Sequence, residues 1–165
     1  MTAKSLPDAE QLLTALIAQM RPHVSVETGL IGIVTGGAWL AERLHAALKL
    51  KVPCGTLDVS FYRDDFQHKG LKREVAPSDI PFEVEGRDLI LVDDVLYTGR
   101  TIRAAMNELF DYGRPASIRL ASLVDRGGRE LPIAAQFVGA VIDVRQSVEL
   151  QRDAQGKLSL VLSKD

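Results

Sequence analysis

The sequence of 165 residues predicts an α/β fold in which a largely parallel central sheet is flanked by helices. Short apolar segments alternate along the chain with longer segments whose apolar residues recur at helical spacing. Residues 148–162 depart from this order, because their apolar and polar residues alternate on both sides of a glycine. That last pattern predicts a closing β-hairpin near the end of the chain.

The composition is that of one globular domain spanning residues 1–165. Its formal net charge is −2, so any binding of phosphate must come from local groups rather than from the field of the whole molecule. The single cysteine, Cys54, has no partner for an internal disulfide, which fits a reducing compartment. The sequence shows no signal-peptide pattern and no apolar run of membrane-spanning length, so we expect a cytoplasmic protein without a membrane partner.

The first half of the chain predicts two helices and two strands. Ser5 to Asp8 has the pattern of a capping box, with Pro7 in the first turn of the helix that follows. The elements are, in order, a helix with Leu12, Leu13, Leu16, Ile17 and Met20 on one face, a strand over residues 30–34, a helix with Leu40, Leu44 and Leu48 on one face, and a strand over residues 56–62.

Residues 63–81 are charged and show no clear periodicity. A loop of this length inside a compact domain is usually either disordered or a functional lid. We therefore predict a flexible active-site loop here.

The second half predicts three more strands, a helix and the hairpin. The elements are a strand over residues 89–92, a helix with Ile102, Ala105, Met106, Leu109 and Phe110 on one face, strands over residues 117–124 and 137–144, and the hairpin over residues 148–162. Gly113 and Pro115 follow the helix and are typical of a helix end.

The most informative stretch is "DLILVDDVLYTGRT", residues 88–101. An apolar strand runs into Asp93 and Asp94, and a turn containing Gly99 then leads into a helix. Ligands of parallel sheets bind beyond the carboxyl ends of the strands, and the N-terminus of a helix favours a phosphate. The carboxylates would repel a bare phosphate but suit a sugar diol or a magnesium ion, so a phosphorylated ribose fits both halves of the stretch.

Two other phosphate-binding motifs are absent. The sequence contains neither G-x-x-x-x-G-K-[ST] nor a G-x-G-x-x-G that opens a helix after a strand, so the nucleotide-hydrolase and dinucleotide interpretations lose their main support. The remaining alternative is an ordinary strand-to-helix turn that happens to contain two aspartates and a glycine. The combination of strand, paired carboxylates, "YTGRT" and amphipathic helix favours a binding site over that alternative.

Residues 89–101 resemble the phosphoribosyl-pyrophosphate (PRPP) binding motif of type I phosphoribosyltransferases. The segments "SFYRDD" (60–65), "YGRPASIRLASLVDRGGRELPI" (112–133) and "GIVTGGAWLAERL" (32–44) resemble the pyrimidine regulatory family, PyrR. Together they extend the resemblance over nearly the whole chain. The resemblance implies the type I phosphoribosyltransferase fold with a hood, and a uracil phosphoribosyltransferase that makes UMP and pyrophosphate from uracil and PRPP with Mg²⁺. Many members of the family also bind the leader RNA of pyrimidine operons, and homodimers are expected.

The resemblance also implies a role for each part of the site. Asp93 and Asp94 would be the catalytic carboxylates and would contact the ribose or the metal, directly or through water. The 5′-phosphate site would consist of Val95, Leu96, Tyr97, Thr98, Gly99, Arg100 and Thr101. The pyrophosphate loop would be Thr35, Gly36 and Gly37, the active-site loop would begin with Arg63 and Asp64, and the base site would include Val124, Asp125 and Arg126.

Two alternatives stay open at this stage. One is a UMP-sensing, RNA-binding regulator of pyrimidine biosynthesis with little catalysis, and the other is a purine phosphoribosyltransferase. RNA binding needs basic side chains gathered on one face, whereas the net charge is −2 and residues 5–20 contain no lysine or arginine. We therefore expect weak or absent binding of leader RNA, with transferase activity as the main function.

Overall fold

The computed structural model describes residues 5–59 and 78–164. Five strands of this part form one parallel sheet in the order β2-β1-β3-β4-β5, and two more form a separate antiparallel hairpin. The sheet strands are β1 (Gly29–Ile33), β2 (Gly55–Leu57), β3 (Asp88–Leu96), β4 (Ser117–Asp125) and β5 (Phe137–Val141), and the hairpin strands are β6 (Val148–Arg152) and β7 (Leu158–Leu162). The predicted α/β class, parallel sheet and C-terminal hairpin are confirmed.

Helices cover both faces of the sheet. The α-helices of the described residues are α1 (Ala9–Met20), α2 (Gly36–Leu48) and α3 (Arg100–Leu109). Side chains of α1 and α2 pack with Ile90 and Val92 of β3 in one apolar cluster, whereas α3 packs with Leu89 and Leu91 in a second cluster. Because successive strand residues point to opposite faces, the apolar run of β3 supplies both clusters.

The first helix begins later than the capping-box pattern predicts. Its N-cap is Asp8, whose Oδ1 accepts a hydrogen bond from Gln11 N at 3.0 Å. A cap at Ser5 would make Leu6 the first helical residue, and the residue before a proline is disfavoured in the α conformation. Pro7 therefore precedes the helix instead of lying in its first turn.

Three predicted strands differ from the structure by more than one residue at an end. The central strand does not end at residue 92 but continues to Leu96, because β4 pairs with it as far as Leu96↔Asp125. The strand predicted over residues 137–144 ends at Val141. Of the strand predicted over residues 56–62, Gly55–Leu57 is a strand and residues 60–62 lie outside the described part. At the end of the predicted loop over residues 63–81, Asp79 pairs with Thr56 in an antiparallel bridge, while residues 63–77 lie outside the described part.

The C-terminal hairpin is attached to the helical layer by Glu10 of α1. The Glu10 carboxylate accepts hydrogen bonds from Arg43 of α2, the shorter at 2.7 Å, and from Leu158 N at 2.9 Å. The hydrogen bond from Arg43, with that from Leu158, lowers the pKa of Glu10 below its usual value against the opposing effect of burial. The carboxylate is thus charged at neutral pH and fixes the hairpin to both helices.

The Cys54 thiol is partly buried against the helix α2. Its Sγ lies 3.4 Å from the Ala41 carbonyl, and burial, with the nearby charge of Glu42, raises the pKa of the thiol to about 11. The thiolate is therefore scarce at neutral pH.

No helix within residues 5–59 and 78–164 has the length and apolar character needed to cross a membrane.

Candidate active site

The site lies where two neighbouring strands of unequal length diverge. Pairing between β1 and β3 ends at Gly32↔Val92, whereas β3 stays paired with β4 as far as Leu96. The chain runs from β1 outward to β2 on one side and from β3 through β4 to β5 on the other. Ligands of open α/β sheets bind in the crevice at such a reversal of strand order. Asp93 and Asp94 are the first two residues of β3 beyond its last pair with β1.

The two carboxylates are directed toward different parts of this crevice. Asp93 is only 3% exposed and lines a small hollow shared with the turn before α3. The side chain of Asp94 lies against Gly36, at the start of α2. Each carboxylate accepts a hydrogen bond from the following backbone amide at 2.9 Å, which restricts its orientation. Because adjacent strand residues face opposite sides of a sheet, the pair presents one carboxylate to each face.

Glycines allow the start of α2 to touch the backbone of β3. A Cβ at Gly36 would collide with Oδ2 of Asp94, and a Cβ at Gly37 would collide with the carbonyl oxygen of Val92. The peptide bond between Val34 and Thr35 is cis. The predicted pyrophosphate loop, Thr35 to Gly37, therefore lies against the carboxylate of Asp94 and the backbone of β3.

The turn between β3 and α3 forms a hollow of about 30 Å³. Gly99 adopts φ +93°, and Oγ1 of the buried Thr98 accepts a hydrogen bond from Arg100 N at 3.2 Å. The first hydrogen bond within the helix runs from Arg103 N to Gly99 O at 3.0 Å. The amides of the first helical residues thus precede the internal ladder, at the positive end of the helix dipole, and this is the local structure that binds phosphate in many proteins.

The loop between β4 and β5 is bonded directly to this phosphate turn. Glu130 N and Leu131 N donate to Thr98 O at 2.9 and 3.1 Å, and Arg126 N donates to Leu96 O at 3.1 Å. The Arg100 guanidinium forms a salt bridge of 2.7 Å with Glu130. The predicted phosphate site and the predicted base site are therefore neighbouring surfaces of one connected unit.

Tyr97 belongs to the turn between β3 and α3, and its ring packs against the loop between β4 and β5. The guanidinium carbon of Arg126 is 4.0 Å from the centre of the Tyr97 ring, and Arg126 also donates to the Arg145 carbonyl at 2.8 Å. Arg126 Nε is buried without a hydrogen-bond partner, so the contact with the ring is its main electrostatic compensation. A Cβ at Gly128 would collide with the Tyr97 ring, which explains why a glycine suits this position.

Asp125, at the end of β4, is held in its charged form. Burial alone would raise its pKa, but hydrogen bonds from Arg129 and from Gly127 N, with the charge of Arg129, lower the pKa overall. The charge of Asp125 is therefore balanced within the protein by Arg129.

Most of the predicted site residues meet at the carboxyl edge of the sheet. Asp93 to Thr101 lie on β3, in the turn after it and at the start of α3. Thr35 to Gly37 lie after β1, and Val124 to Arg126 lie at the end of β4. Arg63 and Asp64 lie outside the described residues. The sequence places Arg129 in the loop on the base side but predicts no contact for its side chain within the site, although its place four residues after Asp125 is visible in the sequence.

A larger hollow of about 270 Å³ lies at the opposite edge of the sheet. Its charged lining residues are Glu27, Glu85, Arg87 and Asp88. Carboxylates outnumber the single guanidinium there, which disfavours a phosphate ligand. The smaller hollow at the phosphate turn is the better candidate on chemical grounds.

The residues present fit a magnesium ion that is shared with a substrate. No group of three or more histidine, cysteine, aspartate or glutamate side chains capable of holding a metal occurs within residues 5–59 and 78–164. Mg²⁺ typically takes one or two protein carboxylates and completes its shell with water and substrate phosphates. Asp93 and Asp94 offer that number of carboxylates beside the phosphate turn.

Comparison with known proteins agrees with this geometry. A family model described as a phosphoribosyl transferase domain matches residues 4–153. A "Bifunctional protein PyrR" of Pseudomonas savastanoi pv. phaseolicola is 48% identical over 162 residues, covering 96% of this chain and 95% of that protein. The protein of the same name from Pseudomonas paraeruginosa is 52% identical over 159 residues, covering 93% of this chain and 89% of that protein.

The chain belongs to the PyrR family of the phosphoribosyltransferases. Solved structures with the same fold include a hypoxanthine phosphoribosyltransferase of Trypanosoma cruzi, with a TM-score of 0.70, 23% identity, and coverage of 96% of this chain and 94% of that one. A hypoxanthine-guanine phosphoribosyltransferase of Bacillus anthracis has a TM-score of 0.67 at 23% identity, covering 86% of this chain and 85% of that one. At this identity the likeness establishes the type I phosphoribosyltransferase fold alone.

Gly99→Ala tests the phosphate turn. A Cβ at Gly99 would lie 2.9 Å from Cγ1 of Ile133, and it would be held at a positive φ. We expect the variant to lose about tenfold or more in affinity for ribose 5-phosphate, measured by calorimetry, because a shifted turn misplaces several amide donors at once.

Gly156→Ala is the matched control. Gly156 also has a positive φ, of +84°, but its added Cβ would meet no atom within 4 Å. The control therefore carries the conformational strain without disturbing the site, and it should bind ribose 5-phosphate as the wild type does. Undiminished binding by folded Gly99→Ala would show that this turn is not the phosphate site.

Proposed function

We propose that this protein transfers ribose 5-phosphate from PRPP to N1 of uracil, giving UMP and pyrophosphate. The observation that carries the proposal is the single connected unit formed by the paired carboxylates, the phosphate turn and the loop after β4. Such a unit suits a phosphorylated ribose with a base attached at its C1 carbon. The uracil part rests on the family resemblance and on relatives at about 50% identity that bear the name PyrR.

The phosphate turn would hold the 5′-phosphate of both PRPP and UMP. The amides at the start of α3 and the hydroxyls of Thr98 and Thr101 are suitable donors for phosphate oxygens. Thr35, Gly36 and Gly37 would offer backbone groups to the pyrophosphate on the other side of the ribose. Fixing both ends of PRPP would orient the C1 carbon toward the base and convert a bimolecular encounter into a positioned reaction.

Asp93 and Asp94 would act on the ribose between these two anchors. The bond from C1 to pyrophosphate breaks, its electron pair leaves with pyrophosphate, and fixed carboxylates stabilise the positive charge that develops on the ribosyl ring. N1 of uracil forms the new bond to C1 and loses its proton to solvent. They would also accept hydrogen bonds from the ribose hydroxyls. Mg²⁺, when bound, would neutralise charge on the departing pyrophosphate. Val124, Asp125 and Arg126 would border the base, and Arg63 and Asp64 would begin a loop over it.

The proposal is tested by a product assay. Purified protein is incubated with PRPP and magnesium and with uracil, hypoxanthine, guanine or orotate in separate reactions. We expect UMP to be the dominant product, because the pyrimidine-family segments cover nearly the whole chain. Exclusive conversion of a purine base would overturn the proposal in favour of a purine phosphoribosyltransferase.

Asp94→Asn preserves the shape of the side chain and removes one charge, so we expect it to lower turnover of PRPP and uracil by at least about tenfold while leaving the thermal unfolding temperature unchanged.

An RNA-binding regulator with little catalysis is the second candidate. The word "bifunctional" in the name of the relatives favours a second activity in the family. The net charge of −2 disfavours an electrostatically driven complex, and several arginines already donate to carbonyls or pair with carboxylates, among them Arg43, Arg87, Arg119 and Arg129. We therefore propose that RNA binding, if retained by a homodimer, is weak beside the transferase activity.

A filter-binding titration with pyrimidine-operon leader RNA tests this ranking. We expect little retention at physiological salt with or without UMP, because each phosphate contact requires an available cation. A scrambled RNA of equal length measures the non-specific background. Tight binding that UMP strengthens, and that survives a moderate increase in salt, would place the regulator first.

A further inference from the structure

Arg129 joins the loop between β4 and β5, which we call the base loop, to the phosphate turn between β3 and α3. Its Nη1 donates to the Tyr97 carbonyl at 2.7 Å, its Nε donates to the Ile133 carbonyl at 2.8 Å, and its Nη2 is paired with the Asp125 carboxylate. These acceptors lie in the phosphate turn, at the far end of the base loop, and at the end of β4. One side chain therefore fixes the positions of three separate segments around the site.

The chemistry of the guanidinium suits this role. Arginine presents its donors in a rigid plane, so it can span three acceptors whose mutual positions are then fixed. The side chain of Arg129 is 25% exposed and that of Asp125 is 17% exposed, so solvent screens their interaction only in part. A lysine could satisfy one of these acceptors well but not all three together.

The phosphate turn has further bonds that are independent of the Arg129 side chain. Thr98 O accepts from Glu130 N and Leu131 N, and Gly99 O accepts from Arg103 N. The Thr98 hydroxyl accepts from Arg100 N. The pairing of Leu96 with Asp125 also holds the turn beside the end of β4. Loss of the guanidinium should consequently leave the phosphate turn folded and in place, while residues 126–129 of the loop after β4 lose their fixed position relative to it.

We propose that Arg129 is a positioning residue that sets the separation between the phosphate site and the base site. This inference rests on the proposed function, since it assumes that one ligand occupies both sites. In this role Arg129 acts through its contacts with protein atoms and not by binding the phosphate or the base. It aligns the two subsites so that a nucleoside monophosphate of the correct length bridges them.

The test compares two ligands in Arg129→Lys. Ribose 5-phosphate engages the phosphate turn and the paired carboxylates but not the base site, whereas UMP must engage the phosphate site and the base site at their fixed separation. We expect calorimetry to show about a tenfold loss in UMP affinity and less than about a threefold loss for ribose 5-phosphate, because only the bridging ligand depends on alignment. A purely structural role would weaken both ligands together.

Arg87→Lys is the matched control. Arg87 also donates to two backbone carbonyls, those of Glu83 and Glu27, but it lies at the opposite edge of the sheet. This control should leave the ratio of the two affinities unchanged. If Arg129→Lys fails to fold, Arg129→Gln decides the question, because its single amide group cannot span the three acceptors and should shift the same ratio in the same direction.

The outcomes separate this inference from the proposed function. If wild-type protein binds UMP more tightly than ribose 5-phosphate but Arg129→Lys loses both equally or neither, the positioning role is wrong and the proposed function stands. If wild-type protein binds UMP no better than ribose 5-phosphate, the base site contributes nothing, and both are overturned.

Discussion

The site depends on the unequal lengths of β1 and β3. Because β1 stops while β3 continues beside β4, one side of β3 is left without a neighbouring strand at Asp93 and Asp94. The start of α2 approaches that side, and the contacts of Gly36 and Gly37 with β3 show how little space separates them. A side chain at either glycine would force the helix away from the strand, so the crevice is shaped by backbone contact. The start of α2 is therefore packed directly against Asp94 and the backbone of β3.

The site holds negative groups and positive groups next to each other along the chain, and one ligand could contact both. Asp93 and Asp94 give the crevice its negative groups, each held by the amide of the following residue. The positive groups are amide dipoles at the start of α3, immediately beyond the same strand. A ligand with hydroxyl groups and a phosphate a few atoms apart matches that order along the chain. The short turn that contains Tyr97 and Thr98 connects the carboxylates of β3 to the amides of α3.

The sequence predicted the fold class, the hairpin and the position of the central strand because these follow from local periodicity. It predicted a helix start at Ser5 wrongly, since a four-residue capping pattern does not register the effect of Pro7 on Leu6. It also ended the central strand at residue 92, because a charged pair normally marks the end of a buried run, whereas pairing with β4 carries the strand through it. The role inferred for Arg129 depends on carbonyls of Tyr97 and Ile133, and no pattern of side chains reveals contacts to backbone atoms of distant residues.

The central claim is that a phosphorylated ribose binds at the carboxyl edge between β1 and β3. The most direct measurement is a titration of the ¹⁵N-labelled protein with UMP, followed by the chemical shifts of assigned backbone amides. The account predicts the largest shifts at the start of α3, at Asp93 and Asp94, and in the loop after β4, with little change at the opposite edge. Shifts concentrated instead around Glu27, Glu85 and Arg87, with the amides of Thr98 to Ile102 unmoved, would contradict it.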